Sequence, residues 1–140
     1  MKKIVLCVSL AVALAGCDLR PTSSYGFRLP DGDAEKGKQV FAEKMCSSCH
    51  VIEGMEDLRE GMDPEMTVTI GGMTTQIDTY GQLVTSVINP SHRIARGYRS
   101  EDYVDDGESK MRNYNDELTV SELIDLVAFL QAQYTEFPDY

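Results

Sequence analysis

The stretch "MCSSCHV" at residues 45–51 sets two thiols three positions apart with an imidazole directly behind them. Three chemistries use such a cluster: a dithiol redox switch, a zinc site, or covalent attachment of haem. A dithiol switch belongs where a strand meets a helix in a βαβ pattern. Here a helical pattern precedes the pair and no parallel-strand pattern follows. A closed zinc site needs four ligands. Cys46, Cys49, His50 and His92 make up that number, but the usual second ligand pair is missing and His50 sits in a tight turn behind Cys49. Haem attachment gives every residue a task. Cys46 and Cys49, at i and i+3, share one side of a helical turn and can form thioethers with two vinyl groups on one edge of the macrocycle. His50, at i+4 from Cys46, is expected on the same face with a nitrogen for the iron. C-x-x-C-H is the attachment sequence of c-type haem, so one covalent haem c is the expected cofactor.

Three helices are expected to position this motif. In "DAEKGKQVFAEKMCSSCH", Asp33 is a plausible N-cap, and Ala34, Gly37, Val40, Phe41 and Met45 recur at helical spacing. In "TYGQLVTSVINP", Thr79 and Gln82 have capping-box spacing, Leu83, Val84, Val87 and Ile88 form an apolar face, and Pro90 ends the helix. The last helix carries the strongest signals. Thr119 caps it, Glu122 stands at the third position, Leu118 and Leu123 form a staple, and Leu123, Leu126, Val127 and Leu130 make one stripe. Residues 51–73 read as irregular, with a short alternation at "MTVTI", and 91–117 read as loop. The fold class is therefore all-α, with three main helices and long loops. So few helices make a thin core, which a cofactor would help to fill.

The chain has 140 residues and a formal charge of −10. That balance argues against a nucleic-acid partner, since phosphate contacts need clustered Lys and Arg. An acidic surface is expected to suit redox partners with a basic docking face. Lys2 and Lys3 precede an apolar run from Ile4 to Gly16, too short to span a bilayer comfortably but right for the core of an export signal. The run ends in "LAGC", which resembles the bacterial lipoprotein box, and the resemblance implies cleavage before Cys17 and lipid on its thiol. Asp18 behind it resembles a retention signal for the inner membrane. The expected organisation is a signal peptide at 1–16, a lipid-anchored linker at 17–32 and a domain at 33–140. Residues 18–32 would have a relaxed reach of about 20 Å and at most about 50 Å. Cys7 leaves with the signal and Cys17 is capped by lipid, so Cys46 and Cys49 remain.

At these residues the chain resembles a small bacterial class I cytochrome c. "GKQVFAEKMCSSCH" is similar to that family's first helix and haem motif, in which a glycine and an aromatic, here Gly37 and Phe41, meet the C-terminal helix. "LTVSELIDLVAFLQ" resembles that helix, with Leu126 and Phe129 at the contact positions. The resemblance covers about residues 33–50 and 107–134. It implies a methionine as distal iron ligand shortly before the last helix, where Met111 stands, with His50 proximal. His92 is the rival distal ligand, and Arg93 and Arg96 are candidate partners of haem propionates. Two departures stand out. Arg112 occupies the place of the family's proline after the methionine, which is expected to loosen that loop. The "G-P-x-L" pattern, whose proline carbonyl orients the proximal histidine, is missing, so a carbonyl within 51–73 must serve instead.

With both axial positions held by protein, iron can only change oxidation state. The expected function is single-electron transfer by a non-enzymatic carrier between respiratory or periplasmic redox partners, tethered on the periplasmic side of the inner membrane. A subunit fixed within a larger oxidoreductase is the alternative. A gas-binding or peroxidatic protein would require a labile sixth ligand. The acidic pairs Asp105–Asp106 and Glu56–Asp57 read as solvated faces, and no residue arrangement suggests hydrolysis.

Overall fold

The computed structural model describes residues 28–72 and 79–135. Helix α1 runs Ala34–Glu43, α2 Tyr80–Ile88 and α3 Val120–Gln131. Each begins where a short polar side chain satisfies backbone N–H groups that lack an intrahelical partner. Asp33 accepts from Glu35 and Lys36, Thr79 from Gln82, and Thr119 from Glu122 in a complete capping box. Pro90 follows the second helix by two residues.

Helices α1 and α3 pack closely, and Gly37 sets how closely. A Cβ on Gly37 would lie 2.0 Å from the Asp125 carbonyl oxygen and 2.7 Å from Phe129 Cβ. One turn later Phe41 meets Phe129 edge-on, with ring centroids 5.6 Å apart, a geometry that suits the aromatic quadrupole. Val40, Leu83, Val84, Val87, Leu126, Val127 and Leu130 complete the core with Ile52. Two polar ties secure the crossing. The Asp33 N–H donates to Asp125 Oδ1 at 2.8 Å, and Lys44 Nζ reaches the Glu117 carbonyl at 2.8 Å and Glu122 at 3.2 Å.

The all-α expectation needs amendment, for the molecule is mostly helical but has two small ladders. Strand β1, His50–Ile52, pairs in parallel with β2, Val68–Ile70, placing His50 opposite Val68. Both strands are rich in β-branched residues, and the alternation at 66–70 was the visible half of the pair. Strands β3, Val104–Asp105, and β4, Glu108–Ser109, form a hairpin inside the expected loop. Its turn is Asp106–Gly107, with φ of 46° and 83°, a dipeptide that favours this left-handed turn. Beyond β2, the Gly72 N–H donates to the Gln133 carbonyl at 3.0 Å, fastening the ladder to the end of α3.

Candidate haem site

Helix α1 ends just before the cysteines, because Met45 adopts a left-handed backbone with φ of 56°. Met45 had the spacing of a buried helix position, but this kink turns it outward, and it is 60% exposed. Cys46–Ser48 then form one 3-10 turn, closed by the Cys49 N–H on the Cys46 carbonyl at 3.2 Å. The helical turn expected through His50 does not extend that far. His50 opens β1, because the Val68 N–H donates to the Cys49 carbonyl at 2.8 Å and draws the chain into the ladder.

Both thiols are free and half-buried. Burial pushes the Cys46 thiol up to about 11, the reverse of the depressed pKa that a redox-active thiolate needs. Among the described residues no three His, Cys, Asp or Glu side chains are grouped to hold a metal ion.

Two adjoining cavities open beside the motif, of about 750 and 290 Å³. His50, Val68, Ser86, Arg93, Tyr98 and Met111 line both. Cys46 and Cys49 line the smaller one, and His92 only the larger. Leu83, Val87 and Leu130 give the larger cavity an apolar wall from α2 and α3. Tyr98 and Tyr103 stack edge-on at 4.9 Å and close over β2. The Thr69 N–H donates to the Tyr98 hydroxyl, and the Tyr103 hydroxyl donates to the Thr67 carbonyl. None of these aromatic contacts was legible in a segment read as loop.

The His50 imidazole is half-buried and lines both cavities. Burial pushes its pKa down, favouring the neutral ring that a metal ligand must be, while the Val68 backbone works in the other direction and Arg59 lowers it further. Its Nδ1 is buried and completes no hydrogen bond, although the Val68 backbone lies close enough to bear on its proton affinity. Met111 is anchored through its N–H to Ser109 Oγ at 3.2 Å, and the Ser109 N–H donates to Ser91 Oγ at 3.0 Å. That relay ties the methionine segment to the turn carrying His92, whose Nδ1 lies 2.8 Å from the Asn89 carbonyl.

Arg112 supplies a restraint in place of the family's proline. Its guanidinium stacks over Tyr114 at 4.6 Å from the ring centroid and pairs with Glu117. Tyr114 is buried and donates its hydroxyl to the Lys44 carbonyl at 3.1 Å. The loop after Met111 is thus clipped to the end of α1 without a proline. Cys17 and the apolar run of 4–16 lie outside the described residues, as does Met73.

Two cysteines at C-x-x-C spacing, a half-buried imidazole whose Nδ1 completes no hydrogen bond and a methionine lining the same two cavities mark a c-type haem protein. A family model for cytochrome c matches residues 34–133, and the chain belongs to the cytochrome c family. No curated protein and no solved structure matches it. The family binds covalently attached haem c, one per domain, and Cys46 and Cys49 fit its C-x-x-C-H motif. Haem-based electron transfer is the family's general role.

Proposed function

We propose that this is a bacterial class I monohaem cytochrome c, held by lipid on Cys17 to the periplasmic side of the inner membrane. It passes single electrons between respiratory or periplasmic redox proteins. The haem supplies an iron that gains or loses one electron. Cys46 and Cys49 would hold it as thioethers, and His50 and Met111 would ligate its iron. The observation that carries this reading is that His50 and Met111 line the same two cavities, one of which also reaches both thiols. A thioether in the sixth position raises the reduction potential relative to a second histidine, which suits a carrier.

The chain's own residues do the positioning. The β1–β2 ladder sets His50 opposite Val68, whose backbone acts on the proton affinity of the ring where the family has its proline carbonyl, although Nδ1 completes no hydrogen bond. Arg93 and Arg96, both lining the larger cavity, are the propionate partners. Anchoring rests on Lys2, Lys3, the run Ile4–Gly16 and "LAGC", with residues 17–32 as tether and 33–140 as the cytochrome domain.

The test is optical. Protein matured with covalent haem is expected to be low-spin, to show the thioether–ferric charge-transfer band and to ignore carbon monoxide. Met111→Ala is expected to abolish the band and admit carbon monoxide. Rapid carbon monoxide binding by the unaltered protein would move a sensor or enzymatic role ahead of electron transfer. Failure to attach haem would overturn the assignment of the cysteines.

A further inference from the structure

Strand β2 pairs with β1 alone, so its other edge faces no strand. The Val68 N–H goes to the Cys49 carbonyl on the side of β1, and in a ladder the backbone groups of successive residues point to alternate sides. Thr67 and Thr69 therefore turn theirs toward the free edge, where unpaired N–H and C=O groups collect. Two phenols meet them there. The Thr69 N–H donates to the Tyr98 hydroxyl at 3.4 Å, and the Tyr103 hydroxyl donates to the Thr67 carbonyl at 3.4 Å. The rings brace each other edge-on at 4.9 Å, and their two contacts bracket Val68, the residue opposite His50.

The same pair leads to the methionine. The Lys110 N–H donates to the Tyr103 carbonyl at 2.9 Å, and Val104 pairs with Ser109 across the hairpin. Met111 follows at once, its N–H on Ser109 Oγ at 3.2 Å. Two hydrogen bonds through Tyr103 thus join Thr67, beside Val68, to Lys110, beside Met111. Tyr98 lines both cavities and Tyr103 the smaller one.

We infer that Tyr98 and Tyr103 are positioning residues for both iron ligands: they pin β2 behind His50 and, through the β3–β4 hairpin, hold Met111 in register with it. Groups around a ligating histidine fix its ring and tune the metal. With no proline carbonyl after the haem motif, the ladder carries that role, and the phenols keep its free edge in place. One clamp then serves two ligands. The inference rests on His50 and Met111 ligating a covalent haem.

The test uses the haem-loaded protein and the variants Tyr98→Phe and Tyr103→Phe, which keep the rings and remove only the hydroxyls. Imidazole binding to the ferric protein probes the Met111 bond, and the Nδ1–H resonance of His50 in the ferrous protein reports the surroundings of its ring. Tyr80→Phe is the control, for it also loses a phenol–backbone contact, from the Leu29 N–H at 3.2 Å, but Tyr80 lines neither cavity beside the motif. Each clamp variant is expected to bind imidazole about threefold more tightly, the worth of a modest neutral hydrogen bond, and to shift the His50 resonance. Tyr80→Phe should change neither. If the clamp variants only lose thermal stability, as the control does, the tyrosines are structural and the inference fails. It fails equally if Tyr98→Phe moves only the His50 resonance and Tyr103→Phe only imidazole binding, since no shared clamp then joins the ligands. An unaltered protein lacking covalent haem or the thioether–ferric band would overturn the ligand assignment and this inference with it. Its absorption spectrum separates that failure from the other two.

Discussion

Gly37→Ala tests the helix crossing on which the site is built. In an exposed helix interior, alanine is favoured over glycine by about 1 kcal/mol, so a model without tertiary contact predicts stabilisation. Here the added methyl would stand 2.0 Å from the Asp125 carbonyl oxygen, 2.6 Å from its carbon and 2.7 Å from Phe129 Cβ, where ordinary contact begins at 3.4 Å. Two of the three obstacles are backbone, so no rotamer change relieves the clash. Helices α1 and α3 must separate, and the Phe41–Phe129 contact at 5.6 Å opens with them. Overpacking of this severity costs about 3 kcal/mol, leaving a net loss of about 2 kcal/mol after the propensity gain. For a domain of this size that is a fall of about 8–16 °C in Tm. The assay is thermal unfolding of the haem-loaded protein by far-UV circular dichroism. Gly97→Ala serves as control, since a Cβ there meets nothing within 4 Å, and its effect should stay within about 0.5 kcal/mol. If the two variants melt together with the unaltered protein, the close crossing at Gly37 is wrong.

Acid sensitivity should involve Glu122. Donation from the Thr119 N–H, then from its hydroxyl, and the Lys44 ammonium hold this carboxyl down at about 2, against an ordinary value of 4.5. A carboxyl depressed in the folded state contributes stability that is complete above its unfolded value and is lost as pH falls through the folded one. The Tm difference between unaltered protein and Glu122→Gln should therefore shrink as pH drops from above 4.5 toward 2, and a constant difference would count against the capping box. Arg112→Ala removes the stack on Tyr114 and the pair with Glu117, about 1 kcal/mol for exposed groups. It should weaken the charge-transfer band and quicken carbon monoxide binding, and an unchanged band would mean that the clip does not restrain Met111. Cys17→Ser should move the protein from the membrane to the soluble fraction after cell breakage, and continued sedimentation with membranes would exclude lipid on that thiol as the anchor.

The helix starts and the haem motif were legible because they rest on interactions a few residues long. Asp33 with Glu35 and Lys36, Thr79 with Gln82, and Thr119 with Glu122 each close a hydrogen bond within three positions. The Asp106–Gly107 hairpin was equally local, and its turn dipeptide was a signal available in a segment read as loop. Gly37 and Phe41 against α3 could be placed only through resemblance, since spacing names a buried face without naming its partner.

What the sequence by itself determined, then, is the chemistry of the site and the places where the helices begin. Two thiols and an imidazole at C-x-x-C-H spacing suit covalent haem, and caps with apolar stripes suit three helices. Tertiary structure alone decided what surrounds them. The ladder partner of His50 is Val68, Tyr114 joins Lys44 across 70 positions, and Arg93, Arg96, Arg99, Lys110 and Arg112 come to line the two cavities beside the motif. Spacing along the chain encodes bonds between near neighbours. Which distant segments meet depends on how the helices and ladders pack, because only that packing brings their side chains within reach of one another.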